Sequence, residues 1–322
     1  MRLLYIAKVN VSNKSFLGVT NKIFNIFKVL SKYFTADMLY IKDKGVYLNE
    51  NCILDFTRKN TLRARYAYYK VLSRIIIDYD IVYVRNFIAD MMINSIISSY
   101  EGTKILEIPT NIKALEAEIS NPLGRFLIRK YQPYFLRQFD HILIYGEPSQ
   151  YEITSGVPLL SLQNGVSVEV KAVNRAKSID YHIYGGTKMI NLVSVANNSV
   201  WHGYDRVIRG MYQYYKGNPS KPVHYHCVGE GDALPELKKL VNELDLNSYV
   251  IFHGTKTGQE LDRIFEESDI AIGSLGNHRK RLYTESALKS REYCARGVPF
   301  VISSNDQDFP ESFPYILKIP SD

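Results

Sequence analysis

Cysteine is scarce: Cys52, Cys227 and Cys294 are the only three in 322 residues. An odd number at wide spacing offers no disulfide framework and no metal-binding pattern. It suits a reduced, cytoplasmic setting. Long apolar runs are also missing. The greasiest region, Ile75 to Tyr100, is broken by Asp78, Asp80, Arg85 and Asp90, so no segment reads as a bilayer span. The N-terminal Met1-Arg-Leu-Leu-Tyr-Ile-Ala7 gives way at once to Lys8 and polar residues, too short an apolar stretch for a signal peptide. Repeats of fixed period and low-complexity tracts are absent. The G-x-G-x-x-G dinucleotide fingerprint is absent too, leaving a dinucleotide site poorly supported.

What is present is ordinary globular material, 46% hydrophobic and 23% charged, long enough for two domains with separate cores. The net charge of +7 is unevenly spread. Residues 1 to 170 hold 21 Lys+Arg against 15 Asp+Glu, and the first 77 alone hold 14 against 4. A basic N-terminal region suggests an anionic partner: a membrane surface, a phosphorylated acceptor or nucleic acid.

Short apolar runs alternate with helical patterns. Candidate strands are Leu3–Ala7, Met38–Ile41, Ile81–Val84, Lys104–Ile108 and His141–Tyr145, with helical stretches Asn21–Tyr33, Thr61–Ile77 and Gly124–Phe139 between them. A turn signal at Ser161-Leu-Gln-Asn-Gly-Val166 and a linker over 167–188 follow. The alternation restarts with strands Ile190–Val195, His224–Val228, Val250–Phe252 and Ile270–Gly273 and intervening helices from about Gly203, Pro235 and Gln259. Thr257-Gly-Gln-Glu260 reads as a capping box for the last of these. The chain thus reads as α/β, two doubly wound domains in tandem, 1–170 and 171–322. Ligands of such sheets bind beyond the carboxyl ends of the strands.

The segment Glu285-Ser-Ala-Leu-Lys289-Ser-Arg-Glu292-Tyr-Cys-Ala-Arg-Gly297-Val-Pro299-Phe-Val-Ile reads as a helix, a left-handed glycine stop and a buried strand. The spacing predicts Glu285, Lys289 and Glu292 on one helix face. Such a face suits a polyhydroxylated, phosphorylated ligand, and equally a solvated row of ion pairs. Three loops follow strand ends: Ala196 to Arg206, Gly229-Glu-Gly-Asp232, and Ser274 to Arg281 with the basic run His278-Arg279-Lys280-Arg281. Helix starts beside these loops can hold an anion. Trp201, the single tryptophan, reads as core or as a ligand platform. Asp78-Tyr-Asp80 precedes a strand and reads as structural, where a metal-holding D-x-D would follow one. The helices Asn21–Tyr33 and Gly124–Phe139 mix apolar residues with lysines and arginines. They fit a core face with solvated cations, or an anionic membrane surface.

The ordered motifs Val228-Gly-Glu-Gly-Asp with Leu-Pro-Glu-Leu237, Val250-Ile-Phe-His-Gly254, Ser268-Asp-Ile-Ala-Ile272 and Leu288-Lys-Ser-Arg-Glu-Tyr-Cys-Ala-Arg-Gly-Val-Pro299 resemble the retaining glycosyltransferases of family 4. Trp201-His-Gly-Tyr-Asp-Arg206 and Glu107-Ile-Pro-Thr110 are similar to its bacterial surface-polysaccharide branch. The resemblance implies the GT-B fold: two tandem Rossmann-like domains whose parallel sheets face a cleft, acceptor on the first and nucleotide-sugar donor on the second. It implies that Glu292 hydrogen-bonds the donor ribose. The family's first glutamate falls on Thr284, one residue before Glu285, so the motif is off register. Asn197 and His202 stand where the family carries an arginine and a lysine that clamp the diphosphate. Lys289, His278, Arg279 and Arg281 are candidates to supply that charge. Gly18 matches the glycine loop after the first strand, and Gly229, Gly231 and Leu288 fall on donor-binding positions. Lys289, Glu285 and Arg279 are the candidate catalytic residues.

The expectation is a cytoplasmic glycosyltransferase, retaining and without a required metal or other cofactor, with the inner face of the cell membrane as its candidate peripheral location. It would move a sugar from a nucleoside diphosphate to a glycan or polyprenyl-diphosphate-linked glycan in surface polysaccharide synthesis. The readings kept beside it are another GT-B enzyme, such as a nucleotide-sugar epimerase or an inverting transferase, and a non-catalytic nucleotide-sugar-binding subunit. The helix with which GT-B chains usually cross back to the first domain is expected to be missing, since three residues follow the candidate strand Tyr315–Ile319.

Overall fold

The computed structural model describes residues 1–12, 17–57, 61–85, 91–109, 121–145, 147–151, 153, 155–166, 170–173, 183–184 and 187–321. Most of the linker 167–188 and Thr110 of the Glu107–Thr110 motif lie outside them. The chain forms two compact units, Met1–Leu162 and Gln163–Asp322. Residues 163–166, placed with the first domain by sequence, go with the second through bonds such as Asn164 N to Ser286 Oγ at 2.8 Å.

In the first unit, β1 (Arg2–Asn10), β2 (Thr35–Lys42), β3 (Gly45–Leu48), β4 (Asn51–Asp55), β5 (Ile81–Arg85), β6 (Thr103–Ile108), β7 (His141–Tyr145) and β8 (Leu159–Leu162) make one sheet, ordered β4-β3-β2-β1-β5-β6-β7-β8. It is parallel except for the antiparallel β2–β3–β4 edge. The strands read as unbroken apolar runs because both faces are covered. Leu3, Tyr5 and Ala7 point to the face packed by helix α1 (Leu17–Leu30) through Ile23. Leu4 and Ile6 point to the other, packed by α2 (Thr61–Ile75), α3 (Met91–Ser99) and α4 (Pro122–Leu136) through Leu72, Ile93 and Phe135.

The second unit has two short pairs and one large sheet. The strands are β9 (Ile183–Tyr184), β10 (Thr187–Lys188), β11 (Ile190–Val195), β12 (Val223–Val228), β13 (Val250–Gly254), β14 (Ile270–Ile272), β15 (Thr284–Glu285), β16 (Phe300–Ile302), β17 (Asn305–Asp306) and β18 (Ile316–Lys318). The sheet β13-β12-β11-β14-β16-β18 is parallel throughout. Helices α5 (Tyr204–Lys216) and α6 (Leu234–Glu243) cover one face through Ile208 and Leu237. Helices α7 (Gly258–Glu266) and α8 (Leu288–Ala295) cover the other through Phe265 and Tyr293. The strand order reverses between β11 and β14, the switch point where such sheets bind ligands. Tyr293 fixes α8 there: its hydroxyl accepts from Val195 N at 3.1 Å and donates to Ile272 O at 3.2 Å.

Two local expectations need correction. Thr257 is the N-cap of α7 but its hydroxyl makes no capping bond; Glu260 pairs instead with Lys256 Nζ at 2.8 Å. Glu285 is not on the helix. Ala287 is extended, with ψ 130°, and Glu285 sits on β15, paired with Asp306 of β17. The glycine stop is as expected, with Gly297 at φ 72°.

Candidate active site

Three loops gather at the carboxyl ends of β11, β12 and β14. Glycines let their backbones touch. Gly203 has φ 68°, and a Cβ on it would lie 2.6 Å from Gly276 N. Any side chain there would push the β11 and β14 loops apart. Cβ atoms on Gly229 and Gly231 would fall 1.9 and 2.2 Å from Ala196 O and Asn198 O. The two glycines therefore serve the packing of the β11 and β12 loops, a role that their G-x-G spacing did not disclose.

His202 ends the 3₁₀ turn after β11. Its Nδ1 accepts from Ser199 N at 3.1 Å, which leaves the proton on Nε2. Its ring stacks on Tyr204 at 5.4 Å. Burial, then the charges of Lys289 and Lys280, push its pKa down to about 2, so it is neutral in the folded protein. Tyr204 also receives Lys289: Nζ donates to its hydroxyl at 3.4 Å. Lys289 lies in the first turn of α8, near enough to Glu285 for the two charges to act on each other. Burial pushes the ammonium down and the carboxyl up, and each charge partly restores the other. Glu285 Oε2 accepts from Asn277 Nδ2 at 2.8 Å, and the same nitrogen donates to Ser304 Oγ at 2.9 Å. Glu285 Oε1 is shut off from solvent without a partner among the described residues, as are Thr284 Oγ1 and His278 Nδ1. A buried carboxylate oxygen without a partner is unusual and fits a polar ligand. Among the described residues no side chain caps α8, which suits its first-turn N–H groups to an outside acceptor.

The remaining sequence-predicted residues take varied places. Glu292 lies one turn along α8; its Oε1 accepts from Arg296 Nε at 3.0 Å, and Oε2 is in no bond among the described residues. Leu288 is the first residue of α8. Arg279 is engaged elsewhere. It forks onto Asp205 at 2.9 and 2.8 Å and donates to Val200 O at 2.6 Å, tying the β14 loop to the β11 loop. Lys280 Nζ sits 3.2 Å from the Trp201 ring centroid, so Trp201 serves as a platform for a lysine. Arg281 is exposed and left-handed at φ 56°, and Asn197 is exposed. Gly18, in the other unit, is exposed with open space about it. Tyr204 and Asn277 were missed as site residues although both lie in loops noted above. Their signal was a polar residue in a strand-end loop, which alone does not separate structural from functional roles. Among the described residues no three His, Cys, Asp or Glu side chains group as metal ligands.

Solved glycosyltransferase structures match this fold along the chain. Sucrose-phosphate synthase from Thermosynechococcus elongatus does so with a TM-score of 0.70 at 10% identity, covering 100% of this chain and 86% of that one. HepE from Anabaena, in complex with UDP and glucose, gives 0.64 at 12%, over 100% and 87%. The lipopolysaccharide outer core galactosyltransferase WaaB gives 0.60 at 14%, over 99% and 86%. No family model and no curated protein matches the chain. The likeness establishes the architecture: this is an α/β protein of the GT-B fold.

Proposed function

We propose that the chain is a glycosyltransferase that moves a sugar from a nucleoside-diphosphate donor to a glycan or lipid-linked glycan acceptor, with retention of configuration and without a bound metal, in surface polysaccharide synthesis. The observation that carries this reading is the Lys289–Glu285 couple beside the uncapped start of α8, with an orphaned carboxylate oxygen at the sheet's switch point. Lys289 and the first N–H groups of α8 suit the charge that grows on a leaving diphosphate. Glu285 Oε1 suits a hydroxyl of the transferred sugar, and Glu292 Oε2 a ribose hydroxyl. His202, uncharged, offers its Nε2 proton to a phosphate oxygen. Arg279 is a positioning residue, holding the loop that carries Asn277. The complexes of HepE with UDP and with UDP-glucose support a nucleotide-sugar donor.

Titration calorimetry with UDP-glucose and other nucleotide-sugars tests the site. Glu292→Ala is expected to weaken donor binding about tenfold or more; unchanged affinity would remove Glu292 from the site. Donor hydrolysis without acceptor, unaffected by EDTA, is the expected sign of a metal-independent catalyst. A non-catalytic binding subunit is the second reading. It is favoured by the exposed Asn197 and neutral His202 where the family has cations, and binding without hydrolysis would select it.

We also propose a cytoplasmic location at the membrane surface. No helix among the described residues is long and apolar enough to cross a membrane. Helix α4 exposes Leu123, Phe126, Leu127 and Tyr134 beside Lys130, the mixture of an interfacial helix. Co-sedimentation with anionic but not neutral vesicles, lost in Phe126→Glu, is the expected result.

A further inference from the structure

Residues 163–166 follow β8 and open the second unit. One of them, Asn164, reaches the segment between Glu285 and Lys289. Its backbone N donates to Ser286 Oγ at 2.8 Å, and its side-chain Nδ2 donates to Ser286 O. Its own carbonyl accepts from Arg291 Nε at 3.0 Å. Arg291 closes the ring. Nη1 donates to Ala287 O at 3.2 Å and to Asp306, and Nη2 donates to Asp306 Oδ1 at 2.8 Å and to Asp308. Asp306 is in turn the strand partner of Glu285. Ser286, Arg291 and Asp306 are 8%, 6% and 6% exposed, so these bonds stand largely out of reach of water, where they are stronger.

The ring holds the two residues that lie between Glu285 and the first turn of α8. Ser286 and Ala287 carry the chain from β15 into the helix, and Ala287, extended at ψ 130°, lends the helix no side-chain cap. A helix entry that no capping bond fixes takes its direction from whatever grips the residues before it. Here the grip is polar and comes from a residue 122 positions away. We propose that Asn164 is a positioning residue: through Ser286 it sets where Glu285 and Lys289 stand relative to each other, and so aims Lys289 at the donor. The aim rests on the glycosyl-transfer reading; the grip on Ser286 does not. The electrostatics agree with close control of this spacing. Burial holds the Lys289 ammonium below its ordinary range, against the pull of Glu285. Burial raises Glu285, and among the charges that act on it are Lys289, then Asp306 and Arg291 of the ring. A small displacement of such a pair is costly to a reaction that needs it in place.

The test uses the full chain. Asn164→Ala deletes the side-chain donor, and Asn164→Asp keeps its size but sets an acceptor against Ser286 O. Ser286→Ala, which removes one bond and leaves the Asn164 amide in place, is the mildest of the three. In UDP-glucose hydrolysis both Asn164 variants are expected to lower kcat about tenfold with little change in KM. In a Lys289→Met background Asn164→Ala is expected to cost less than about twofold more, because its effect passes through Lys289. A further tenfold loss in that background would overturn the inference. A second readout needs no activity. Acetylation of Lys289, followed by mass spectrometry, gives the ratio of its rates at pH 8 and pH 10. In Asn164→Ala the ratio is expected to fall about threefold or more, as water reaches the amine and restores its affinity for a proton. Exposed Lys216 should keep its ratio. Ser286→Ala is expected to give a smaller fall. A Lys289 ratio equal to the wild type in all three variants would overturn the inference. A wild-type chain that hydrolyses no donor would instead sink the glycosyl-transfer reading, and the labelling ratio would still decide whether Asn164 sets the pair.

Discussion

A glutamate stands under the carboxyl end of each sheet, and the two are supplied with donors to different degrees. In the first unit Glu107 is held by Arg85, Tyr83 and Tyr145, so both its oxygens are supplied with donors. In the second, Glu285 has among the described residues one neutral donor, Asn277, and an oxygen with no partner. The difference teaches how a buried carboxylate divides between structure and chemistry. One saturated with donors braces its surroundings. One kept short of donors is poised for a ligand's hydroxyl, at a cost in desolvation that only the ligand repays.

Neutralising each carboxylate breaks that contrast most sharply. Glu107→Gln leaves Arg85 buried without its ionic partner, and removing one member of a buried pair costs about 3–5 kcal/mol. Glu285→Gln keeps the acceptor for Asn277 and is expected to change stability by about 1 kcal/mol or less. Chemical denaturation, with amide exchange on β6 and β14 to separate the units, measures both; equal costs would erase the distinction. Lys289→Met should lower kcat for sugar transfer or donor hydrolysis about 10²–10³-fold, the loss expected when a group aimed at developing charge is removed.

The sequence disclosed the two units unequally. Alternating apolar runs placed most strands of both sheets, because strands covered on both faces leave a local signal. Gly297 and Pro299 marked the end of α8 for equally local reasons. Glu285 was misplaced onto the helix because its true constraint is the pairing of β15 with β17, Glu285 against Asp306, which no helical spacing reveals. Glu260 looked like half of a capping box but is taken by Lys256, an equally local alternative. Lys22 read as one cation of an amphipathic helix. Its burial comes from strand register, which sets Arg85 and Glu107 side by side although they lie far apart in the chain. The helix pattern carried no trace of it.

His202 sharpens the comparison through pH. Its folded-state pKa is depressed to about 2, below the ordinary 6.5, so the unfolded chain binds the extra proton between those values. The stabilisation is present above pH 6.5 and is lost as pH falls through that window. Between pH 7 and pH 5 the loss amounts to about 2 kcal/mol. His202→Asn should abolish that share of the slope in the second unit, with β14 exchange as the readout, and leave β6 exchange in the first unit unchanged. A second-unit slope identical to the wild type would mean that the imidazole charges freely beside Lys289.

The smallest effect separates a residue that holds a loop from one that takes part in the chemistry. Arg279 belongs to the basic run that sequence offered to the diphosphate, but its guanidinium is spent on Asp205 and Val200 O. Arg279 and Asp205 are 29% and 32% exposed, and pairs in contact with water contribute about 0.2–1 kcal/mol. Arg279→Gln should therefore cost no more than about 1 kcal/mol. Its kinetic signature should be a rise in KM for the donor with little change in kcat, because a loosened β14 loop presents Asn277 and Glu285 less often in the right place. Asp205→Asn should reproduce that signature, since it breaks the same tie from the other side and leaves Arg279 intact. A large fall in kcat for Arg279→Gln with none for Asp205→Asn would place the guanidinium at the reacting diphosphate and require it to leave Asp205 when the donor binds.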